Sequence, residues 1–174
     1  MHLVRSALVA AVLCAIWPGG AARADVSTRR TVCITLSDQI AIAGSPVKVW
    51  AGLGHVRGLC TLLGIECEAS PGRMDRIGAT VRGRERFGAS VDEGTLTTSF
   101  ALTGRDMRTT WDPANGSYIC HTRMEIVKSG EATVLRVTTR YTDDDVAHAD
   151  ATARSARDAF RVHLTAFKTL VESR

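Results

Sequence analysis

Residues 32–42 alternate cleanly between apolar and polar positions. Val32, Ile34, Leu36, Ile40 and Ile42 share one parity, and Thr35, Ser37 and Gln39 fall on the other. That is the pattern of a strand with one buried face. Asp38 breaks it by falling on the apolar parity. Gly44-Ser45-Pro46 then predicts a helix start, with Ser45 as cap and Pro46 in the first turn. Val47, Trp50, Ala51 and Leu53 follow at helical spacing up to Gly54. A second short helix is expected from about Val56 to Leu63, ended by Gly64, and residues 68–76 read as a loop.

From Ile77 to Tyr141 the chain reads as strands and turns. Strands are expected near 77–87 (one strand or two), 95–102, 105–111, 117–127 and 133–142. The turns carry Gly94, Gly104, the run Asp112 to Gly116, and Ser129-Gly130. Leu96, Thr98, Phe100 and Leu102 share a face, as do Met107, Thr109 and Trp111. Tyr118, Cys120, Thr122, Met124 and Ile126 form a third set, and Leu135, Val137, Thr139 and Tyr141 a fourth. One face of the sheet is therefore apolar with small polar interruptions, and the other is solvated.

The chain closes on a long amphipathic pattern. Val146, Ala149, Ala153, Ala156, Phe160, Leu164, Phe167 and Val171 recur at steps of three and four. Asp143, Asp144 and Asp145 offer an N-cap and suit the positive end of the helix dipole. The predicted class is α+β: a curved antiparallel sheet of six or seven strands gripping one long C-terminal helix, with two short helices after the first strand. A cystatin-like cone is the second candidate, but there the main helix precedes the sheet.

The stripe on the final helix is small at its start (Ala149, Ala153, Ala156) and large toward its end (Phe160, Phe167). Thr98, Thr109, Thr122 and Thr139 interrupt the sheet face beneath. Two readings follow: a mostly apolar cavity with a few hydroxyls, or an ordinary core that tolerates threonine. On the cavity reading the ligand-binding set is Leu96, Thr98, Phe100, Trp111, Tyr118, Thr122, Met124, Val137, Thr139, Tyr141, Ala153, Ala156, Phe160 and Leu164. Trp111 and Phe100 serve as core or as ligand contacts. The Tyr118 and Tyr141 hydroxyls could meet a ligand oxygen. Trp50 either walls the pocket mouth or packs helix on sheet.

The N-terminus changes the setting. Arg5, an uncharged run from Ala7 to Trp17, a Pro18-Gly19-Gly20 break and Ala22-Arg23-Ala24 follow the order of a cleavable signal peptide. Residues 1–24 are thus expected to be removed, leaving residues 25–174 as one domain in the periplasm or secreted. The apolar run is too short to span a bilayer, so no permanent membrane anchor is expected. Net charge is +4 for the whole chain. The leader takes Arg5 and Arg23, leaving 20 Lys and Arg against 18 Asp and Glu. That balance, with no basic block, gives no reason to expect a nucleic-acid partner.

Four cysteines lie beyond the leader: Cys33, Cys60, Cys67 and Cys120. Cys60 and Cys67 are expected to form a disulfide around Gly64. Cys33 and Cys120 are either a second bridge or two buried thiols; their parities place them on opposite faces. No Cys or His spacing suits zinc, no Gly-x-Ser-x-Gly elbow is present, and no cofactor is expected. His148 and His163 are too far apart on one helix to share a metal. Asp38 and Glu85 are weak catalytic candidates. An inward carboxylate could act as acid or base, and the alternative for each is a place facing solvent. Arg82, Arg84 and Arg86 are expected on a solvated strand face.

The stretch Ile42-Ala43-Gly44-Ser45-Pro46-Val47-Lys48-Val49-Trp50 resembles the opening of the START/Bet v 1-like (SRPBCC) superfamily, which includes polyketide cyclase/dehydrase and lipid-transport proteins. Gly78-Ala79-Thr80-Val81-Arg82 is similar to that superfamily's second strand. Tyr118 to Met124 with Thr133 to Tyr141 resembles its last two strands, and Phe167 to Glu172 its closing helix. The resemblance spans residues 32–172. It implies the helix-grip fold and a pocket for an apolar small molecule, here in an exported bacterial member, but no shared catalytic residue. The expected function is a monomeric periplasmic binding or carrier protein for a lipid-like or other apolar molecule. The alternatives are a cyclase- or dehydratase-type enzyme using an inward carboxylate or Tyr, and an envelope interaction module with a filled core.

Overall fold

The computed structural model describes residues 32–70, 72–87, 90–116, 118–143 and 149–173. The leader and Asp144 to His148, including most of the expected helix cap and Val146, lie outside the described residues. Strand β1 (Val32–Ile42) is followed by helices α1 (Pro46–Gly54) and α2 (Val56–Leu63) and the short strand β2 (Ile65–Cys67). Then come β3 (Thr80–Phe87), β4 (Ser90–Leu102), β5 (Asp106–Pro113), β6 (Cys120–Ser129), β7 (Ala132–Asp143) and helix α3 (Ala149–Glu172). All strands join one antiparallel sheet in the order β1-β7-β6-β5-β4-β3-β2. The sheet curls into a half-barrel around α3, as the order of elements predicts.

Local chemistry sets the element ends. Ser45 Oγ accepts from Lys48 N at 3.3 Å and Pro46 opens α1. Gly64 ends α2 at φ 71°, a left-handed conformation that glycine adopts without strain. The chain then reverses into β2, an edge strand the sequence pattern did not resolve. The Cys60–Cys67 disulfide forms as expected and ties α2 to that edge across a Cα–Cα distance of 6.1 Å.

Two expectations about β4 are corrected. Gly94 sits inside the strand, paired with Gly83 on one side and Pro113 on the other, rather than in a turn. A Cβ there would come within 2.6 Å of Asp112 O and 2.8 Å of the Trp111 ring, so glycine serves close packing instead. The β4–β5 register also shifts between Thr98 and Phe100. This β-bulge turns the strand over. Phe100 and Leu102, expected on the inner face, leave it. Phe100 pairs with Arg108, whose guanidinium lies 4.8 Å over its ring, and Leu102 is exposed.

The packed core lies beneath the C-terminal half of α3. Leu164, Phe167 and Val171 are buried there with Val49, Trp50 and Leu53 of α1, Leu59 and Leu62 of α2, and Met107, Met124, Leu135 and Val137 of the sheet. Trp50 is thus a packing residue. Cys33 is exposed, Cys120 is half-buried, and both are free. Cys33 pairs across to Thr142 while Cys120 pairs with Tyr141, which keeps the thiols on opposite faces as their parities require. Cys33 is therefore not a buried thiol. No helix among the described residues is long and apolar enough to cross a membrane.

Phe167 is fully buried between α1 and the sheet. Phe167→Ala is expected to lower unfolding free energy by about 3–5 kcal/mol. Urea denaturation followed by far-UV circular dichroism measures the loss.

Candidate functional site

Under the N-terminal half of α3 the sheet and helix part. Ala156, Ala159 and Phe160 of α3 roof a cavity of about 540 Å³, a volume typical of small-molecule sites. Alanine reaches only one carbon toward the sheet, so the space persists until Leu164 and Phe167 close it about one to three turns later. Leu36 of β1, Leu63 of α2 and Ile65 of β2 complete the apolar walls.

The floor is the concave face of the sheet, and the register organises it into rows. Thr98 pairs with Thr109, Thr109 with Thr122, and Thr122 with Thr139. Four adjacent strands thus place threonine at one level. Thr98 is buried and donates to Met74 O at 2.6 Å, so its hydroxyl fixes the 72–79 loop. Thr122 and Thr139 hydroxyls bond each other at 3.0 Å. Thr109, only 2 % exposed, has no hydrogen-bond partner for its hydroxyl. The next row is Leu96, Trp111, Cys120 and Tyr141, all of them in the cavity lining.

Beyond that row lies the polar end. Tyr118 donates its hydroxyl to Glu85 Oε2. Glu85 pairs directly with Asp92 across β3–β4, and Asp92 Oδ1 accepts from Asn115 Nδ2 at 2.8 Å. Burial raises the Glu85 pKa above the ordinary carboxylate value; the Tyr118 hydrogen bond opposes the rise and the Asp92 charge adds to it. Burial also raises the Tyr118 phenol, and its bond to Glu85 raises it further. The Trp111 indole N–H acts on Tyr118 and opposes that shift. The Cys120 thiol is pushed up to about 12, first by burial and then by the Glu85 charge, which keeps it protonated and unreactive. His163, on the α3 wall against Gly64, has its pKa lowered by burial.

The structure gathers Leu96, Trp111, Tyr118, Thr122, Thr139, Tyr141, Ala156 and Phe160 of the expected ligand set around this space. It places Thr98, Met124, Val137 and Leu164 in packed core instead, because the side chains under Leu164 and Phe167 fill that end. Ala153 packs with Ile34 and Leu36 and is not itself in the lining. Phe100 is outside, for the reason given by the bulge. Of the two candidate acids, Glu85 lines the cavity. Asp38 does face α3, but it accepts from Arg161 at 3.2 Å and is not part of the lining. Arg82 and Arg84 are exposed as expected, while exposed Arg86 reaches the cavity rim. Sequence reasoning missed Leu63, Ile65, Asp92, Asn115, Ala159 and His163. Asp92 falls between the strands expected at 77–87 and 95–102 but lies within β4, and Ala159, three residues beyond Ala156, is legible in the helical spacing.

No group of three or more His, Cys, Asp or Glu among the described residues could hold a metal ion. Two other clefts, about 570 and 550 Å³, flank residues 68–70 at the β2 edge, away from the buried polar groups.

Two outcomes test this geometry. Thr122→Val strands the Thr139 hydroxyl and should cost about 1 kcal/mol, whereas Thr109→Val removes an unpartnered hydroxyl and should be neutral or stabilising; urea midpoints separate the two. Glu85 holds its proton more tightly folded than unfolded. Stability should therefore rise as pH falls through the raised folded pKa toward the ordinary carboxylate value, and be lost as pH rises back through that window. Glu85→Gln should flatten this slope in urea midpoints measured across pH.

No family model matches the chain, and no curated protein matches it. Solved structures do. A structural-genomics protein from Chromobacterium violaceum aligns with a TM-score of 0.62 at 13 % identity, over 79 % of this chain and 97 % of its own. Ara h 8.0201 aligns at 0.60 with 12 % identity, over 82 % of this chain and 100 % of its own. Norcoclaurine synthase from Thalictrum flavum, solved with dopamine and hydroxybenzaldehyde, aligns at 0.59 with 14 % identity, over 83 % and 89 %. Curled sheet, closing helix and these likenesses agree: the chain has a helix-grip fold, the fold of these solved structures.

Proposed function

We propose that the chain is an exported binding or carrier protein, periplasmic or secreted, that holds a lipid-like or other apolar small molecule between sheet and helix α3. One observation carries this reading. The space of about 540 Å³ is walled largely by apolar and aromatic side chains and lies where α3 presents alanines. Binding would draw on burial of ligand surface at about 25 cal/mol per Å², less ordering costs. The leader-like residues 1–24 support export. N-terminal sequencing of the chain from a bacterial periplasm should then begin at Asp25.

A second reading has its own support. Glu85 and Tyr118 meet inside the cavity, so an acid–base enzyme on the same pocket has candidate groups there. Asp38, tied to Arg161, offers it none. A filled envelope module fits less well, because the cavity is open.

Native mass spectrometry of protein purified from its own periplasm tests the carrier reading. It should show a bound small molecule, or uptake of a fluorescent fatty-alcohol or sterol probe. A bare polypeptide with no uptake contradicts it. Ala156→Trp places a large ring in the space and should weaken probe binding at least about tenfold while the circular dichroism spectrum is retained.

A further inference from the structure

The polar end of the cavity gathers two carboxylates. Glu85 and Asp92 oppose each other across β3–β4, and both line it. Glu85 has Tyr118 as its hydrogen-bond partner and reaches no cation among the described residues. The nearby arginines do not supply one. Arg84 is exposed and paired with Glu93, and Arg86 is exposed at the rim on the opposite strand parity. His163 faces the cavity from α3, where burial disfavours its charged form. Burying a carboxylate beside another without a counter-charge is costly, and a paired cation offsets that cost.

A buried group on the same wall also awaits a partner. Thr109 is 2 % exposed and lines the cavity, and its hydroxyl has no hydrogen-bond partner among the described residues. Native interiors rarely leave such a group unsatisfied. Trp111 and Tyr118 further present aromatic rings at the carboxyl end, and aromatic faces attract organic cations. A fatty acid would bring a third carboxylate toward Glu85 and Asp92.

Building on the cavity reading above, we propose that the ligand is a cationic amphiphile: an apolar body under Ala156 and Phe160 with a protonated amine seated on Glu85, between the rings of Trp111 and Tyr118. The Tyr118 bond occupies Oε2 and leaves Oε1 for the ammonium. The unpartnered Thr109 hydroxyl accepts from the ligand or bonds an oxygen on it.

Decylamine, decanol and decanoate share a tail and differ in head group. Isothermal titration of each into the chain at pH 7.5 tests the proposal. Decylamine should bind at least about tenfold more tightly than decanol, and decanoate more weakly than decanol. Glu85→Gln should bring decylamine to within a few-fold of decanol, and a retained circular dichroism spectrum shows that the variant is folded. Decanoate binding as tightly as decylamine, or an amine preference that survives Glu85→Gln, overturns the proposal. If decanol binds in those cases, the cavity reading survives alone. If none of the three binds, both fall.

Discussion

The structure depends on how one helix covers one sheet. A half-barrel with an apolar concave face cannot stand in water, and α3 is the element long enough to cover it. The cover fits at one end and not at the other. Leu164, Phe167 and Val171 meet methionines, leucines and the two short helices in close packing. Earlier in the helix Ala156 and Ala159 stop short of the strands and leave a cavity. Stability and capacity to bind are thereby separated along a single helix. The C-terminal half holds the fold together, so the N-terminal half can remain open.

That division explains the chemistry below it. Closely packed interiors exclude polar groups unless they are paired. At the filled end the inner face is almost wholly apolar. At the open end it carries a threonine row with one unpartnered hydroxyl and a tyrosine–carboxyl pair. The outer face is organised differently, with exposed arginines and carboxylates in pairs such as Arg84 with Glu93. Such pairs contribute little to stability, and nothing in them resembles the cavity's arrangement.

Most of the fold was legible in the sequence because its periodicities are strong. The β1 alternation, the Ser45-Pro46 helix start and the α3 stripe each point one way. The taper of α3 placed the cavity correctly. Failures came where backbone geometry overrides simple alternation. One inserted residue near Ser99 turned Phe100 and Leu102 to the other face, and no composition signal marks a bulge. Gly94 read as a turn because glycine commonly punctuates strands; here it makes room for the Trp111 ring. The site was less legible than the fold. Which inward residues line a void and which are packed depends on the partner across the space. Thus Thr122 and Met124, two apart on one strand, have different fates. Glu85 and Asp92 face each other only because of a pairing that the sequence pattern does not reveal.

Residue-resolved nuclear magnetic resonance tests the central claim most directly, by locating where a neutral apolar guest binds. On titration with decanol, shifts should concentrate at Leu96, Thr122, Thr139 and Ala156, with little change at Phe167 and Val171. No perturbation, or perturbation confined to the clefts around residues 68–70, would contradict the account.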